Sequence, residues 1–339
     1  MTSYITVKNL KKEFKVPIRK SGVKEALKSF VKRDYKVIHA IDDISFSINK
    51  GEIVGYIGPN GAGKSTTIKI LTGILVPTSG SCTIGGITPW KSRKEYVSKI
   101  GVVFGQRSQL WWDIPALDTF DLLADIYKLD KQKYYKNRDE LIKLLRIEDI
   151  VQVPVRQLSL GQRMRCEIAT SLLHDPEILF LDEPTIGLDA VSKNIVRDFI
   201  KKINKERNVT VILTTHDMTD IETLAKRVIL IGKGKVLYDG LLTKLKRRYD
   251  INKYIHIVTN DKIDTNIEGI IEHKKVNDGY KFVIDTNKLE VSEFLNIISE
   301  NTSIDDIDID SENLDNIIVK LYEDFNLWQR IYLILNYDL

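Results

Sequence analysis

The sequence predicts an α/β fold: a parallel sheet covered by helices on both faces, with a small α+β domain attached behind it. Three short apolar runs carry most of that expectation, I-V-G-Y-I at 53–57, I-L-F-L at 178–181 and V-I-L-T-T at 211–215. None alternates, so each suits a strand buried on both faces rather than one with a wet side. Helical patterns at 65–75 and 192–205 separate the runs, which is the alternation of a layered α/β domain. The third observation is a change of character near residue 245. Residues 241–339 hold 12 Lys/Arg against 19 Asp/Glu, whereas residues 1–240 hold 39 against 28. Two domains, 1–240 and 241–339, are therefore expected.

Each element follows in order. Residues 4–10 alternate and are β-rich, and I-S-F-S-I at 44–48 repeats the pattern before a turn at Lys50-Gly51, so an antiparallel opening precedes the parallel sheet. Between them lies an insertion, 15–36, with eight Lys/Arg and only Glu25 and Asp34 as acids. Val23, Leu27, Phe30 and Val31 fall at helical spacing within it. A basic amphipathic helix of this kind suits an anionic membrane surface, and it equally suits a solvated helix packed on its own domain. Beyond residue 245, 254–258 and 280–284 read as strands, 291–298 as a helix and 304–309 as a strand. A closing helix at 314–322 puts Leu314, Ile317, Ile318 and Leu321 on one face. The tract I-D-D-I-D-I-D offers calcium-loop spacing from Asp306, but Ser311 stands where the turn glycine belongs and Ile317 where the bidentate glutamate belongs. The alternation reads as a half-buried strand instead.

Composition narrows the class. With 339 residues, 43% hydrophobic, 29% charged and a net charge of +4, the chain is neither disordered nor collagen-like and can bury a core in each domain. Cys82 and Cys166 stand far apart without a Cys/His cluster, so neither a disulfide framework nor a zinc site is expected. No stretch approaches the roughly 18 consecutive apolar residues of a membrane span, and the N-terminus lacks the apolar region of a signal peptide.

Chemistry concentrates in two motifs. Gly58, Pro59, Asn60, Gly61, Ala62, Gly63, Lys64 and Ser65 form a glycine-rich loop between a predicted strand and a predicted helix that continues with Thr66. Such a loop lets successive backbone N–H groups curl around phosphate oxygens while the helix aims its positive end at them. Lys64 would neutralise the β- and γ-phosphates of a nucleotide, and the Ser65 hydroxyl would ligate Mg²⁺. The second motif, I-L-F-L-D-E at 178–183, delivers Asp182 and Glu183 at the C-terminal end of a buried strand, where open α/β sheets bind ligands. Asp182 suits the Mg²⁺ shell, and Glu183 suits a general base that polarises water.

With these motifs in order, the chain resembles the nucleotide-binding subunit of ATP-binding cassette (ABC) transporters over about residues 4–240, with seven motif elements in family order. The resemblance implies a P-loop fold of the ABC ATPase type: a parallel core sheet, an antiparallel β subdomain and an α-helical subdomain. Leu158 to Gln162, L-S-L-G-Q, matches the family signature L-S-G-G-Q except at Leu160. By similarity Ser159, Leu160, Gly161 and Gln162 serve the nucleotide of a second subunit, so that ATP joins two protomers face to face. Gln106, in V-V-F-G-Q, corresponds to the glutamine that senses Mg²⁺ and links the ATP site to the membrane partner. Asp189, in G-L-D, resembles the loop that crosses between subunits, and His216, in T-T-H-D, the histidine that contacts the γ-phosphate and orients water. Phe14 matches the position that stacks on adenine, with Tyr35 as a rival. Trp111 and Trp112 stand where a coupling helix of the permease would dock.

The implied function is ATP binding and hydrolysis with Mg²⁺, driving transport through separate membrane-spanning permease subunits, with a second ATP-binding subunit as partner and a peripheral place at the cytoplasmic face of the cell membrane. The basic insertion and the C-terminal domain resemble the exporter-type branch. The alternative is a mechanical or regulatory ATPase of the same superfamily acting on ribosomes or nucleic acid. Against it, the chain has one cassette and no long coiled coil between the glycine-rich loop and the acidic strand. His39, His174, His256 and both cysteines match no motif and read as structural.

Overall fold

In the computed structural model, the described residues are 3–17, 35–105, 107–249, 251–300 and 302–325. The chain divides into two units, Met1–Gly240 and Leu241–Leu339. The first opens with β1 (Ile5–Pro17) and β2 (Tyr35–Ile48), an antiparallel pair, and β4 (Ser79–Ile84) lies on the other side of β1. Alternation sets the register here. Ile5, Val7 and Leu10 of β1 and Ile44, Phe46 and Ile48 of β2 face the core, while their neighbours face outward.

Both strands run further than the apolar pattern indicated. Past Leu10 the hairpin continues through Phe14↔Ile38 to Pro17↔Tyr35, with side chains mostly exposed on both faces. Backbone pairing alone extends it, and that leaves no period-2 signal. Residues 15–17 and 35–36 of the basic insertion are therefore strand, while the predicted helical face of Val23, Leu27, Phe30 and Val31 lies outside the described residues.

The central sheet has six strands in the order β5 (Ile100–Phe104), β6 (Ile178–Asp182), β7 (Thr210–Thr214), β3 (Ile53–Ile57), β8 (Arg227–Gly232) and β9 (Lys235–Leu241). The pairs β5–β6, β6–β7, β7–β3 and β3–β8 are parallel. Val54, Leu179, Phe180, Leu181, Val211 and Leu213 are fully buried, and burying each such side chain contributes roughly 1.5–3 kcal/mol. This is the sandwiched environment that non-alternating runs require. Helices α1 (Lys64–Leu71), α2 (Arg93–Val97), α6 (Ala190–Arg207) and α7 (Met218–Leu224) connect or flank the strands. A helical section, α3 (Ala116–Tyr127), α4 (Lys131–Leu144) and α5 (Leu160–Leu172), is inserted between β5 and β6, and both α3 and α4 pack on α5. Because β6, β7 and β3 are neighbours, the loops that follow them, starting at Glu183, Thr215 and Gly58, leave one end of the sheet side by side.

In the second unit α8 (Leu242–Tyr249) precedes a four-stranded sheet in the order β11 (Ile270–Val276), β12 (Gly279–Asp285), β10 (Asn252–Val258) and β13 (Asp306–Ser311), with α9 (Val291–Ser299) and α10 (Leu314–Asp324). Ile255, Ile257, Phe282 and Ile284 meet Phe294 and Ile298 of α9 in its core, with the Phe282 and Phe294 rings edge-on at 5.1 Å. The predicted face of α10 is buried. Residues 306–310 pair with β10 along their length, so the acidic tract is an edge strand whose outward aspartates discourage edge-to-edge pairing. β11 is mostly exposed and its middle, Glu272 to Lys275, is polar, so the apolar pattern missed it, although the Asp278-Gly279 turn ahead of β12 is a hairpin signal. Among the described residues no helix is long and apolar enough to cross a membrane.

Candidate active site

The glycine-rich loop leaves β3 and enters α1 by a sharp left-handed turn. Gly61 and Gly63 adopt φ of 78° and 106°, a region closed to most side chains. A Cβ on Gly63 would lie 2.5 Å from the Ala40 carbonyl of β2, whereas the space around Gly61 is open. The loop is thus pinned from the hairpin side and free on the other. No side chain caps the start of α1, and no acid stands in its first turn. Its leading N–H groups and dipole are left for an anion. Ser65 is exposed at that end and Thr66 half-buried, while Thr67 is buried and tied by its hydroxyl to the Gly63 carbonyl and by Tyr56 to β3.

Lys64 is the buried cation of the loop. Its ammonium donates to the carbonyls of Gly58 (2.6 Å) and Pro59 (3.3 Å) and is only 7% exposed. Burial lowers its pKa, and the nearby carboxylates of Glu183 and Asp182 oppose that shift. The ammonium therefore sits between the loop and the acidic strand end. This donor set, an uncapped helix start, a buried ammonium and a left-handed glycine turn, fits nucleotide phosphates.

Asp182 ends β6, and the Thr214 hydroxyl of β7 donates to it at 2.5 Å. Glu183 follows with φ of 58°, left-handed for a residue with a Cβ, a conformation that costs roughly 1–3 kcal/mol and tends to occur at functional sites. Two contacts hold it there. Its N–H donates to the Thr214 carbonyl at 2.9 Å, and Gly105 presses so closely that a Cβ on it would lie 2.5 Å from the Glu183 carbonyl oxygen. The turn directs the carboxylate at His216, whose Nε2 lies 2.9 Å from Glu183 Oε1. A cavity of about 250 Å³ adjoins the pair, lined also by Thr185, Ile186, Gly187 and Lys193. A carboxylate steadied by an imidazole beside a phosphate cradle can take a proton from attacking water.

The signature segment forms a helix start. Ser159 caps α5 by accepting from the Gln162 N–H at 3.2 Å, while Gln162 Oε1 accepts from the Ser159 N–H at 2.8 Å. This capping box satisfies two of the helix's unpaired donors. Gly161 is required by packing, since a Cβ there would lie 2.4 Å from the Ser192 hydroxyl. Leu160 takes the first helical position, 38% exposed, with Cδ2 against Gly187. Its bulk therefore stands outside the backbone turn and leaves the cap intact. Asp189 caps α6, accepting from the Ser192 N–H (2.9 Å) and hydroxyl (2.7 Å), and those bonds lower its pKa.

Phe14 sits opposite Ile38 on the hairpin, two residues along from Ala40 where β2 touches Gly63. Its ring is 37% exposed, with the Lys12 ammonium 5.2 Å from its centre. Tyr35 lies further out, opposite Pro17. Gln106 is outside the described residues. His174 stacks on Tyr127 at 4.3 Å, and the buried thiols of Cys82 and Cys166 are pushed up to about 12 by desolvation.

Sequence reasoning missed Asp220. Its carboxylate is fully buried in α7 and gathers the Thr185 hydroxyl, the Thr215 hydroxyl (3.1 Å) and the Arg197 guanidinium (2.6 Å from Nε). It thereby ties the loop after Glu183 to the loop that carries His216. The only hint in the sequence was an acid beside Ile221 on the apolar side of a helix.

Comparisons with known proteins agree with this geometry. The family profile described as ABC transporter matches residues 41–186. The ABC transporter ATP-binding protein NatA of Bacillus subtilis (strain 168) is 36% identical over 220 residues, 64% of this chain and 89% of that protein. The bacitracin transport ATP-binding protein BcrA of Bacillus licheniformis is 34% identical over 223 residues, 66% of this chain and 71% of that protein. Among solved structures, a dimeric ATP-binding cassette, MJ0796, in a post-hydrolysis state with ADP and Pi, superposes with a TM-score of 0.59 at 28% identity, covering 70% of this chain and 98% of that one. A left-handed glycine loop around a buried lysine, a strained Glu183 beside His216 and a serine-capped helix at L-S-L-G-Q thus occur in a chain that belongs to the ABC transporter family, as an ATP-binding subunit that hydrolyses ATP.

Proposed function

We propose that two such subunits close face to face on ATP and thereby power an exporter whose pore belongs to separate membrane-spanning permease subunits. The observation that carries the docking part is the loop after β5. Trp111 and Trp112 are 59% and 51% exposed there, although large aromatic rings leave water wherever a partner is present and are enriched at interface hot spots. The loop is fastened to the helical section, with the Trp112 carbonyl accepting from the Arg156 N–H at 2.9 Å and the Arg163 guanidinium 5.4 Å from the Trp112 ring centre. A rigidly mounted, solvent-facing Trp pair suits the coupling segment of a permease. A transport role is supported by the relative named for bacitracin transport.

At the active site Glu183 takes the water proton, His216 holds the carboxylate and the water, and Lys64 balances the phosphate charge. Ser65 and Asp182, with Gln106, would hold Mg²⁺, which would supply charge neutralisation at the phosphates. Ser159, Leu160, Gly161 and Gln162 face the nucleotide of the opposite protomer, Asp189 lies at the crossing loop, and Phe14 stacks on adenine. The chain is then peripheral at the cytoplasmic face of the membrane.

Fractionation tests this reading. The chain is expected to sediment with membranes and to copurify with a multi-spanning protein, and Trp111→Ala with Trp112→Ala is expected to reduce that recovery by about tenfold, the scale of a lost aromatic hot spot. Recovery with ribosomes or nucleic acid instead of membranes would overturn it.

A further inference from the structure

The signature helix contains a buried acid that the active site does not use. Glu167 lies eight residues into α5 from the Ser159 cap, and its side chain is 4% exposed. An unpaired carboxylate at such depth is strongly disfavoured, so its partners decide what it is for. Among the described residues its hydrogen bonds come from the loop that carries the tryptophans: the Ser108 hydroxyl donates to it, the Gln109 N–H donates at 3.1 Å and the Leu110 N–H at 3.5 Å. Burial raises the Glu167 pKa, and the bonds from Ser108, Gln109 and Leu110 oppose that rise. Each partner is a donor, so the arrangement suits the ionised carboxylate.

The bonds divide the loop at a defined place. Gly105, before it, belongs to the core sheet through its N–H bond to the Asp182 carbonyl at 2.8 Å. Residues 108–114 belong to the helical section. Besides Glu167, the Arg163 guanidinium covers Trp112, Arg156 pairs with Asp113 at 2.9 Å, and the Val155 N–H donates to the Ile114 carbonyl at 3.1 Å. The Gln109 side chain reaches back, donating to the Val102 carbonyl at 2.5 Å. Arg107 is still tied to the core sheet through its N–H bond to the Phe104 carbonyl at 3.0 Å, so the change of partner falls between Arg107 and Ser108, and Glu167 is a buried fastening on the helical side.

We infer that Glu167 is a positioning residue that makes the Trp111–Trp112 segment and the Ser159-capped helix one body, so that the signature reaches the opposing protomer's nucleotide at the right angle. The inference rests on the reading that Ser159 acts across a dimer. Core residues form the cradle, so the fastening does not touch the protein's own nucleotide. Its loss affects turnover and spares binding.

The test uses the purified full chain and MgATP. Glu167→Ala is expected to lower kcat about tenfold while MgATP affinity, read by a fluorescent ATP analogue and competition, stays within about twofold. Glu167→Gln, which keeps an acceptor oxygen for the N–H groups, is expected to recover most of that loss. Ser108→Ala, which removes one donor, is expected to lower kcat about threefold. If Glu167→Ala fails to fold, the Gln and Ser108 variants carry the test with the same split between kcat and affinity. Wild-type kcat in Glu167→Ala, or in Ser108→Ala where the former does not fold, would overturn the proposal. So would kcat and affinity falling together, since that is the mark of general damage. Loss of the dimer reading itself would show differently, as wild-type activity independent of protein concentration.

Discussion

Glu183→Gln is expected to bind MgATP as tightly as the unmodified chain and to hydrolyse it about 10²- to 10⁴-fold more slowly, the range that one general base contributes. The substitution is nearly isosteric. The left-handed turn at φ of 58° and the Glu183 N–H bond to Thr214 are backbone features that survive it, and an amide oxygen can still meet His216 at the 2.9 Å spacing of the carboxylate. What disappears is the ability to take a proton from water. In the proposed sandwich this halts the cycle after closure, so the variant should accumulate as an ATP-bound dimer in size-exclusion chromatography. Hydrolysis at the unmodified rate would remove Glu183 from the role of base.

Lys64→Ala should act earlier in the cycle. The ammonium is held by the Gly58 and Pro59 carbonyls and lies close to the Asp182 and Glu183 carboxylates. Nucleotide phosphates brought to the loop without it would face two acids and lose the ammonium that offsets them. Truncating one partner of a buried charge pair typically costs about 2–5 kcal/mol, which corresponds to a loss of affinity of roughly 30-fold to several thousand-fold. Equilibrium binding of a fluorescent ATP analogue checks this, with thermal unfolding as a control. The Gly61 and Gly63 turn does not depend on the side chain, so the melting temperature should change little. Tight ATP binding by this variant would count against the cradle.

The parts of the site that were legible in the sequence are those whose chemistry is local. The glycine loop, the acidic strand end and the signature each lie within about eight consecutive residues, and the physics that fixes them, left-handed glycines, a strand that ends in carboxylates and a capping serine, acts over the same distance. Asp220 and Glu167 were not legible because their meaning depends on groups far along the chain. Asp220 meets Thr185 and Arg197, and Glu167 meets a loop almost sixty residues earlier. A buried acid on a helix looks like a solvated one until its donors are in place. The long hairpin escaped for another reason, since strands exposed on both faces and held by backbone bonds carry no apolar rhythm. Leu160 shows the converse. The sequence marked it as a departure from the family signature, and the structure places its bulk outside the helix cap, against Gly187.

The central claim is that the catalytic pocket is completed by an opposing protomer. Specific ATPase activity measured against protein concentration tests it most directly. Activity per subunit is expected to rise with concentration and then saturate as dimers form, with a matching shift in sedimentation velocity when MgATP is present. A constant activity per subunit across dilution, from a species that sediments as a monomer throughout turnover, would contradict the account.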